Sequence, residues 1–160
     1  MIPLLLGAAL AAPGRTTATA TVGAALTPTR SDAPIPLGVV ARGTLDYGLT
    51  RRLAVGGEAG VLPGGAALAV GAGPMLELVD SRWWRLDLCA QPELVIPLDV
   101  DVSAELPVRH EGPRLGARAG LHASWLAFWG VSLVGRAETA MVFDGQPPWV
   151  EAGLGIGLRM

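Results

Sequence analysis

The stretch that decides the fold reads Arg114-Leu-Gly-Ala-Arg-Ala-Gly-Leu-His-Ala-Ser-Trp125. Its apolar residues occupy every second position and end in a tryptophan, while arginine, glycine, histidine and serine fill the positions between them. This alternation of period two predicts a β-strand with two different faces. An unbroken apolar face opposite a face of glycine and arginine predicts lipid on one side and a crowded polar interior on the other.

The composition narrows the class of protein without indicating a specific activity. The chain has 160 residues, which suits one domain, and 51% of them are apolar. All twelve basic residues are arginine and the net charge is −2, so the composition gives no argument for a nucleic-acid partner and we expect none. No apolar run reaches the roughly 18–20 residues of a membrane helix. Cys89 is the sole cysteine, so no intramolecular disulfide forms, and we expect neither a cysteine zinc site nor any other metal or cofactor.

Residues 1–11 predict a secretory signal peptide. They are short and apolar, and they end in Ala9-Leu10-Ala11, which fits the small-residue cleavage pattern. A basic segment before the apolar run is missing, so an apolar first strand or a misassigned start codon is the alternative. We expect residues 12–160 to form one outer-membrane β-barrel domain.

The same alternation recurs along the chain and predicts eight strands separated by turn residues. These strands span residues 16–26, 36–49, 52–62, 66–79, 83–102, 114–125, 129–143 and 149–160. An even number of strands, each able to cross a bilayer in about 9–11 residues, predicts an all-β, antiparallel, up-and-down transmembrane barrel. Pro74 and Pro92 interrupt two strands, where we expect bulges because proline cannot donate to the ladder.

All the aromatic residues lie beside predicted turns, which predicts belts at the two membrane interfaces. Tyr47, Trp83, Trp84, Trp125, Phe128 and Trp129 flank the turns after the second, fourth and sixth strands, and Phe143 and Trp149 flank the turn after the seventh. The turns beside the larger group are short. We therefore expect this end and both chain termini to face the periplasm, with the longer loops outside the cell.

The inward positions carry seven arginines and seven acidic residues. They are Arg42, Arg52, Arg85, Arg114, Arg118, Arg136 and Arg159, with Asp46, Glu58, Glu77, Asp87, Glu93, Glu138 and Glu151. Eight strands enclose a space that side chains just fill, and an unpaired charge there is very costly. We therefore predict a plugged lumen of ion pairs. Three pairs across neighbouring strands follow from the alternation: Arg42 with Glu58, Glu77 with Arg85, and Arg118 with Glu138.

Over residues 16–160 the chain resembles the small eight-stranded outer-membrane barrels of the OmpA/OmpX type. Residues 45–57 look like the strand–turn–strand unit of that family, and residues 153–160 are similar to the C-terminal signal read by the barrel insertion machinery. Met160 stands where the family usually ends in Phe or Trp. The resemblance implies a bacterial outer-membrane location and contact with lipid and lipopolysaccharide. We expect a monomer with a structural or surface-interaction role and no enzymatic activity.

Two alternatives remain open. His122, Ser124 and Glu138 loosely resemble the His-x-Ser and Glu set of outer-membrane lipid A deacylases, in which a histidine base activates a serine nucleophile. Trp125 stands where that family has Asn, the spacing to Glu138 is wider, and His122 and Ser124 fall on the inward face. We expect them to fill the lumen. The other alternative is a soluble, lipocalin-like ligand-binding barrel whose solvent face carries the charges.

Overall fold

The computed structural model describes residues 14–26, 37–62, 67–81, 83–98, 112–143 and 148–160. These residues form eight antiparallel strands that pair in chain order, and the first strand closes on the last. The strands are β1 (Thr16–Leu26), β2 (Leu37–Gly48), β3 (Leu53–Val61), β4 (Ala67–Asp80), β5 (Trp84–Pro97), β6 (Arg114–Phe128), β7 (Val131–Val142) and β8 (Trp149–Arg159). The predicted closed barrel is confirmed. The predicted signal peptide lies outside the described residues.

Closure of the barrel gives the backbone hydrogen-bonding groups of every strand a neighbouring strand to pair with. Each strand has a partner on both sides, so the ladder hydrogen bonds leave no open sheet edge. No helix in the described part of the chain is long and apolar enough to cross a membrane.

The prediction of bulges at Pro74 and Pro92 is wrong. The β4–β5 pairing runs from Ala67↔Pro97 to Gly71↔Glu93 and resumes at Met75↔Cys89 in the same register. Both prolines fall inside this one interval, so their missing donors are confined to a single short part of one ladder. The irregularities lie elsewhere, between Glu77 and Val79 on β4 and between Leu126 and Phe128 on β6.

The two faces of the sheet have opposite chemistry. On β3 the outward residues Leu53, Val55 and Val61 are exposed, whereas the inward residues between them, including Glu58, are buried. The same distribution holds on β7, where Leu133 is 57% exposed and Glu138 is 2% exposed. A barrel with an apolar exterior and a charged interior is the inverse of a soluble lipocalin-like barrel.

The connections differ between the two ends of the barrel. At one end they are short, comprising residues 49–52, 81–83 and 129–130; at the other they comprise 27–36, 62–66, 98–113 and 143–148. The tightest is the two-residue turn between β6 and β7, where Trp129 and Gly130 both have positive φ (46° and 83°). Two positive φ values are typical of the hairpin turn that matches strand twist. We call this the short-turn end.

The aromatic residues follow the prediction with one exception. The six predicted to lie near the short turns are exposed there, and Phe143 is exposed at the opposite end. Trp149 is only 8% exposed, so its assignment to a membrane interface is wrong. It begins β8 with the same parity as Glu151, and this parity points its side chain into the barrel.

Candidate functional site

Seven charged side chains meet in the middle of the barrel; we call them the central ion cluster. They are Arg42 on β2, Glu58 on β3, Glu93 on β5, Arg118 on β6, Arg136 and Glu138 on β7, and Glu151 on β8. None of them is more than 7% exposed. The cluster therefore links six of the eight strands through the interior rather than through the sheet.

Strand register explains how these side chains reach one another. Each lies on an inward position, and a small residue often stands opposite it on the next strand. Arg42 pairs directly with Gly60, and a Cβ atom there would lie 2.6 Å from Arg42 Cγ. Because glycine leaves this space open, the arginine stem crosses it and the guanidinium extends toward the barrel axis.

Arg118 is the centre of the cluster, and its side chain has no exposed area. Nη1 donates to Glu138 Oε2 at 3.0 Å and to Glu151 Oε2 at 2.7 Å, and Nη2 donates to Glu93 Oε1 at 2.9 Å. Glu138 and Glu151 lie directly opposite each other on β7 and β8, an arrangement that is unfavourable for like charges. Arg118 bridges them, which offsets the repulsion. The predicted pair with Glu138 is confirmed.

Arg42, on β2, is the second arginine of the cluster. Its Nε and Nη2 donate to the two carboxylate oxygens of Glu151, both at 2.8 Å, which is the strong bidentate geometry. Its Nη1 donates to Glu58 at 2.9 Å and to Glu93 at 3.0 Å. The predicted Arg42–Glu58 pair is confirmed. Trp149 donates its indole N–H to Glu151 Oε1 at 2.7 Å, so the residue assigned to a membrane interface belongs to the cluster instead.

Arg136 completes the cluster. It donates to Glu58 Oε2 at 2.7 Å through Nη2 and to Glu138 Oε2 at 2.9 Å through Nε. Its Nη1 reaches the hydroxyl of Thr21 on β1 at 3.3 Å. Thr21 is 4% exposed and was not among the predicted interior residues. Its inward parity within a run of alternating threonines was the available signal.

A second group of charges lies nearer the short-turn end. Glu77 and Asp87 are directly opposite on β4 and β5, and Arg85 Nε lies 3.3 Å from the first carboxylate and 2.7 Å from the second. This arginine repeats the bridging role of Arg118, and the predicted Glu77–Arg85 pair is confirmed. Arg85 also lines a cleft of about 30 Å³ together with Arg159.

The remaining four residues predicted to carry interior charges lie outside the two charge groups described above. Arg52 is exposed and lies in the turn before β3, so its assignment to the interior is wrong; the strand alternation begins only at Leu53. Arg114 is half-buried at the start of β6, and Arg159 is half-buried near the end of β8. Asp46 is buried on β2, and its Oδ1 has no hydrogen-bond partner within the described residues.

The candidate catalytic residues do not assemble as a serine triad. His122 Nε2 lies 2.7 Å from Glu138 Oε1, so two of the three come together. Among the described residues no hydrogen bond joins Ser124 to His122, and Ser124 instead lines the cleft at the short-turn end. The side chain that completes the group is Cys89, whose Sγ lies 3.5 Å from both His122 Nε2 and Glu138 Oε1.

A closed barrel with an apolar exterior and paired interior charges has the fold of a small eight-stranded transmembrane β-barrel, the fold that the resemblance to the OmpA/OmpX type predicted. Solved structures agree. The N-terminal β-barrel domain of Pseudomonas aeruginosa OprF is 12% identical, with a TM-score of 0.66 over 91% of this chain and 97% of that one. Neisserial surface protein A is 14% identical, with a TM-score of 0.66 over 92% and 99%. Ail, the attachment invasion locus protein of Yersinia pestis, is 12% identical, with a TM-score of 0.57 over 93% and 100%.

Comparison with protein families and with curated proteins gives no match. At 12–14% identity the solved structures establish the fold, and a role for this chain has to be argued from its own residues.

Proposed function

We propose that the chain is a bacterial outer-membrane protein whose lumen is closed to solutes and whose role is structural or in surface interactions. The observation that carries the proposal is the position of Arg118. Its fully buried side chain binds carboxylates of β5, β7 and β8, so side chains fill the centre of the barrel. An interior cross-linked in this way suits a rigid support for loops better than a pore.

The proposed orientation follows from the ends of the barrel. Both termini of the described barrel lie at the short-turn end, because β1 starts and β8 finishes there. Six exposed aromatic residues share this end. We assign the short-turn end to the periplasm and the longer connections to the cell surface, the arrangement usual for bacterial barrels.

The proposed partners follow from the exterior. Leu115, Leu133, Leu154 and Ile156 are each more than half exposed on the outward face, which suits contact with outer-membrane lipid and lipopolysaccharide. Each of the eight described strands pairs with two neighbours in the same chain, so the barrel needs no second copy to close, and we propose a monomer inserted by the barrel assembly machinery.

Fractionation combined with surface labelling tests location and orientation together. We expect the protein in the outer-membrane fraction, with slower gel migration after boiling. In a Cys89→Ser background, a membrane-impermeant maleimide on intact cells should label Glu105→Cys, in the 98–113 connection, and not Thr50→Cys, in a short turn. Recovery in the soluble periplasm without detergent would contradict a membrane protein, and the opposite labelling would invert the orientation.

We also propose that the barrel is not a lipid hydrolase. His122 faces Cys89 and Glu138 inside the barrel, away from the lipid-facing surface where an acyl chain would lie. Mass spectra of lipid A from cells expressing the wild type and Ser124→Ala should be identical. A deacylated species present only with the wild type would overturn this proposal.

A further inference from the structure

Three side chains with different metal-binding chemistry meet inside the barrel, and they form a thiol–imidazole–carboxylate trio. Cys89 Sγ, His122 Nε2 and Glu138 Oε1 all lie within 4.8 Å of one another. Cys89 is 3% exposed and Glu138 is 2% exposed. We propose that this trio binds one divalent transition-metal ion of the zinc class. The inference stands on the geometry of the trio and goes beyond the proposed envelope role.

The distances within the trio suit a tetrahedral ion. With Zn–S of about 2.3 Å and Zn–N or Zn–O of about 2.0 Å, tetrahedral angles separate sulfur from the other two ligand atoms by about 3.5 Å. Cys89 Sγ lies 3.5 Å from His122 Nε2 and 3.5 Å from Glu138 Oε1. The third distance, 2.7 Å between Nε2 and Oε1, is a hydrogen bond. It needs to open by about 0.6 Å when an ion replaces the shared proton.

Neighbouring groups hold Glu138 in the required orientation. Its Oε2 accepts hydrogen bonds from Arg118 at 3.0 Å and from Arg136 at 2.9 Å, which leaves Oε1 facing the trio. Gly120 on β6 lies opposite both Cys89 and Glu138, and a Cβ atom there would collide with Glu138 Cγ. The two arginines and the glycine thus orient a ligand from outside the coordination shell, as supporting groups do in metal sites.

The charge of the central ion cluster favours a dication. Its members are three arginines and four glutamates, so one negative charge within the cluster has no cationic partner of its own. A divalent ion together with the Cys89 thiolate adds one positive charge overall and restores neutrality, with His122 neutral. Binding releases the thiol proton, and the neutral His122 ring carries its N–H on Nδ1 so that Nε2 can bind the ion, as metal ligation by these groups requires.

The ligand types select the class of ion. Thiolate and imidazole prefer zinc and neighbouring transition metals over magnesium or calcium, which take oxygen ligands. Access is possible from the short-turn end. The His122 side chain is 12% exposed, and Ser124, on the same face of β6, lines the cleft at that end.

Cobalt(II) tests the proposal, because a cobalt–thiolate bond absorbs in the near ultraviolet and so reports the sulfur ligand directly. Untagged full-length protein is stripped with chelator and folded in detergent, and Co²⁺ is added either after folding or during it. We expect about one equivalent of Co²⁺ to bind with this absorption, and Zn²⁺ to displace it.

Two variants make the result specific. Cys89→Ser should abolish the absorption and weaken Co²⁺ binding by more than the roughly 10–100-fold that loss of a supporting group costs. Ser124→Ala, on the same strand face and outside the trio, should bind as the wild type does. Heat-modifiable migration shows that each variant has folded. The proposal is overturned if neither addition gives thiolate absorption, or if Cys89→Ser binds Co²⁺ as tightly as the wild type.

Discussion

Replacing Arg118 with methionine should destabilise the barrel more than any substitution on its surface. Methionine fills much of the same space, so the change removes charge and hydrogen bonds without leaving a large cavity. The wild-type guanidinium donates to Glu93, Glu138 and Glu151 at 2.7–3.0 Å. Arg118→Met leaves these three carboxylates facing fewer cations in a space that water does not reach.

Two estimates give the magnitude. A hydrogen bond to a charged group contributes about 1.5–3 kcal/mol, and Arg118 has three carboxylate partners. Removing one member of a buried ion pair costs about 3–5 kcal/mol, because the remaining charge stays buried without compensation. The partners left behind keep their hydrogen bonds to Arg42 and Arg136, so we expect a loss of about 3–5 kcal/mol in the free energy of unfolding.

The assay is equilibrium urea unfolding in phospholipid vesicles, followed by tryptophan fluorescence. Arg52→Ala is the matched control, because Arg52 is an exposed arginine in a turn, and its loss should not change the unfolding midpoint measurably. The double variant Arg118→Met/Glu93→Gln should recover part of the stability, since it removes one of the carboxylates left unpaired. If Arg118→Met unfolded at the same midpoint as Arg52→Ala, the cluster would not carry the stability assigned to it.

Three further predictions concern packing and exposure. Gly60→Ala should lower the free energy of unfolding by about 1–3 kcal/mol in the same assay, because the new methyl group overlaps the Arg42 side chain. Gly57→Ala is the control and should be tolerated, because no atom lies within 4 Å of its Cβ position. Equal effects of the two substitutions would contradict this prediction. Trp149→Phe keeps the ring but loses the indole donor to the cluster, and should cost about 1.5–3 kcal/mol. Brominated lipid should quench a protein whose only tryptophan is Trp125 and spare one whose only tryptophan is Trp149; strong quenching of both would place Trp149 outside the barrel.

The strands were predictable because a barrel with lipid outside and charge inside repeats one simple pattern. Period-two alternation gave the eight strands and their inward faces, and antiparallel neighbours then placed Arg42 beside Glu58 and Arg118 beside Glu138. Both pairs are diagonal contacts across one ladder, so they need only the correct parity and an approximate register.

Two of the errors occur where alternation starts, and the third occurs in the middle of two strands. Arg52 was counted as the first residue of a strand, but it lies in the turn, where parity has no meaning. Trp149 was assigned by its distance from a turn, although its parity with Glu151 already indicated the interior. For Pro74 and Pro92, the local rule that proline disrupts a ladder could not show that both would fall within one interval of the β4–β5 pairing.

The contact between the three side chains of the thiol–imidazole–carboxylate trio could not be predicted from the alternation pattern, for a different reason. Cys89, His122 and Glu138 lie on three successive strands, and their approach depends on two registers being correct together. An error of two residues in either register keeps the parity but moves a side chain by about 7 Å, which is enough to separate the ligands. Parity could place these residues in the interior, but only the pairing of β5, β6 and β7 brings them into contact.

The central claim is that side chains of the central ion cluster close the interior of a membrane-spanning barrel. Conductance in planar lipid bilayers tests it most directly. The protein is delivered to the bilayer from lipid vesicles, and heat-modifiable migration of protein recovered from those vesicles verifies that it has folded and inserted. The structure predicts no steady current from inserted wild-type protein. A large, steady, single-channel current would contradict the claim, because it would require a continuous water path past Arg118.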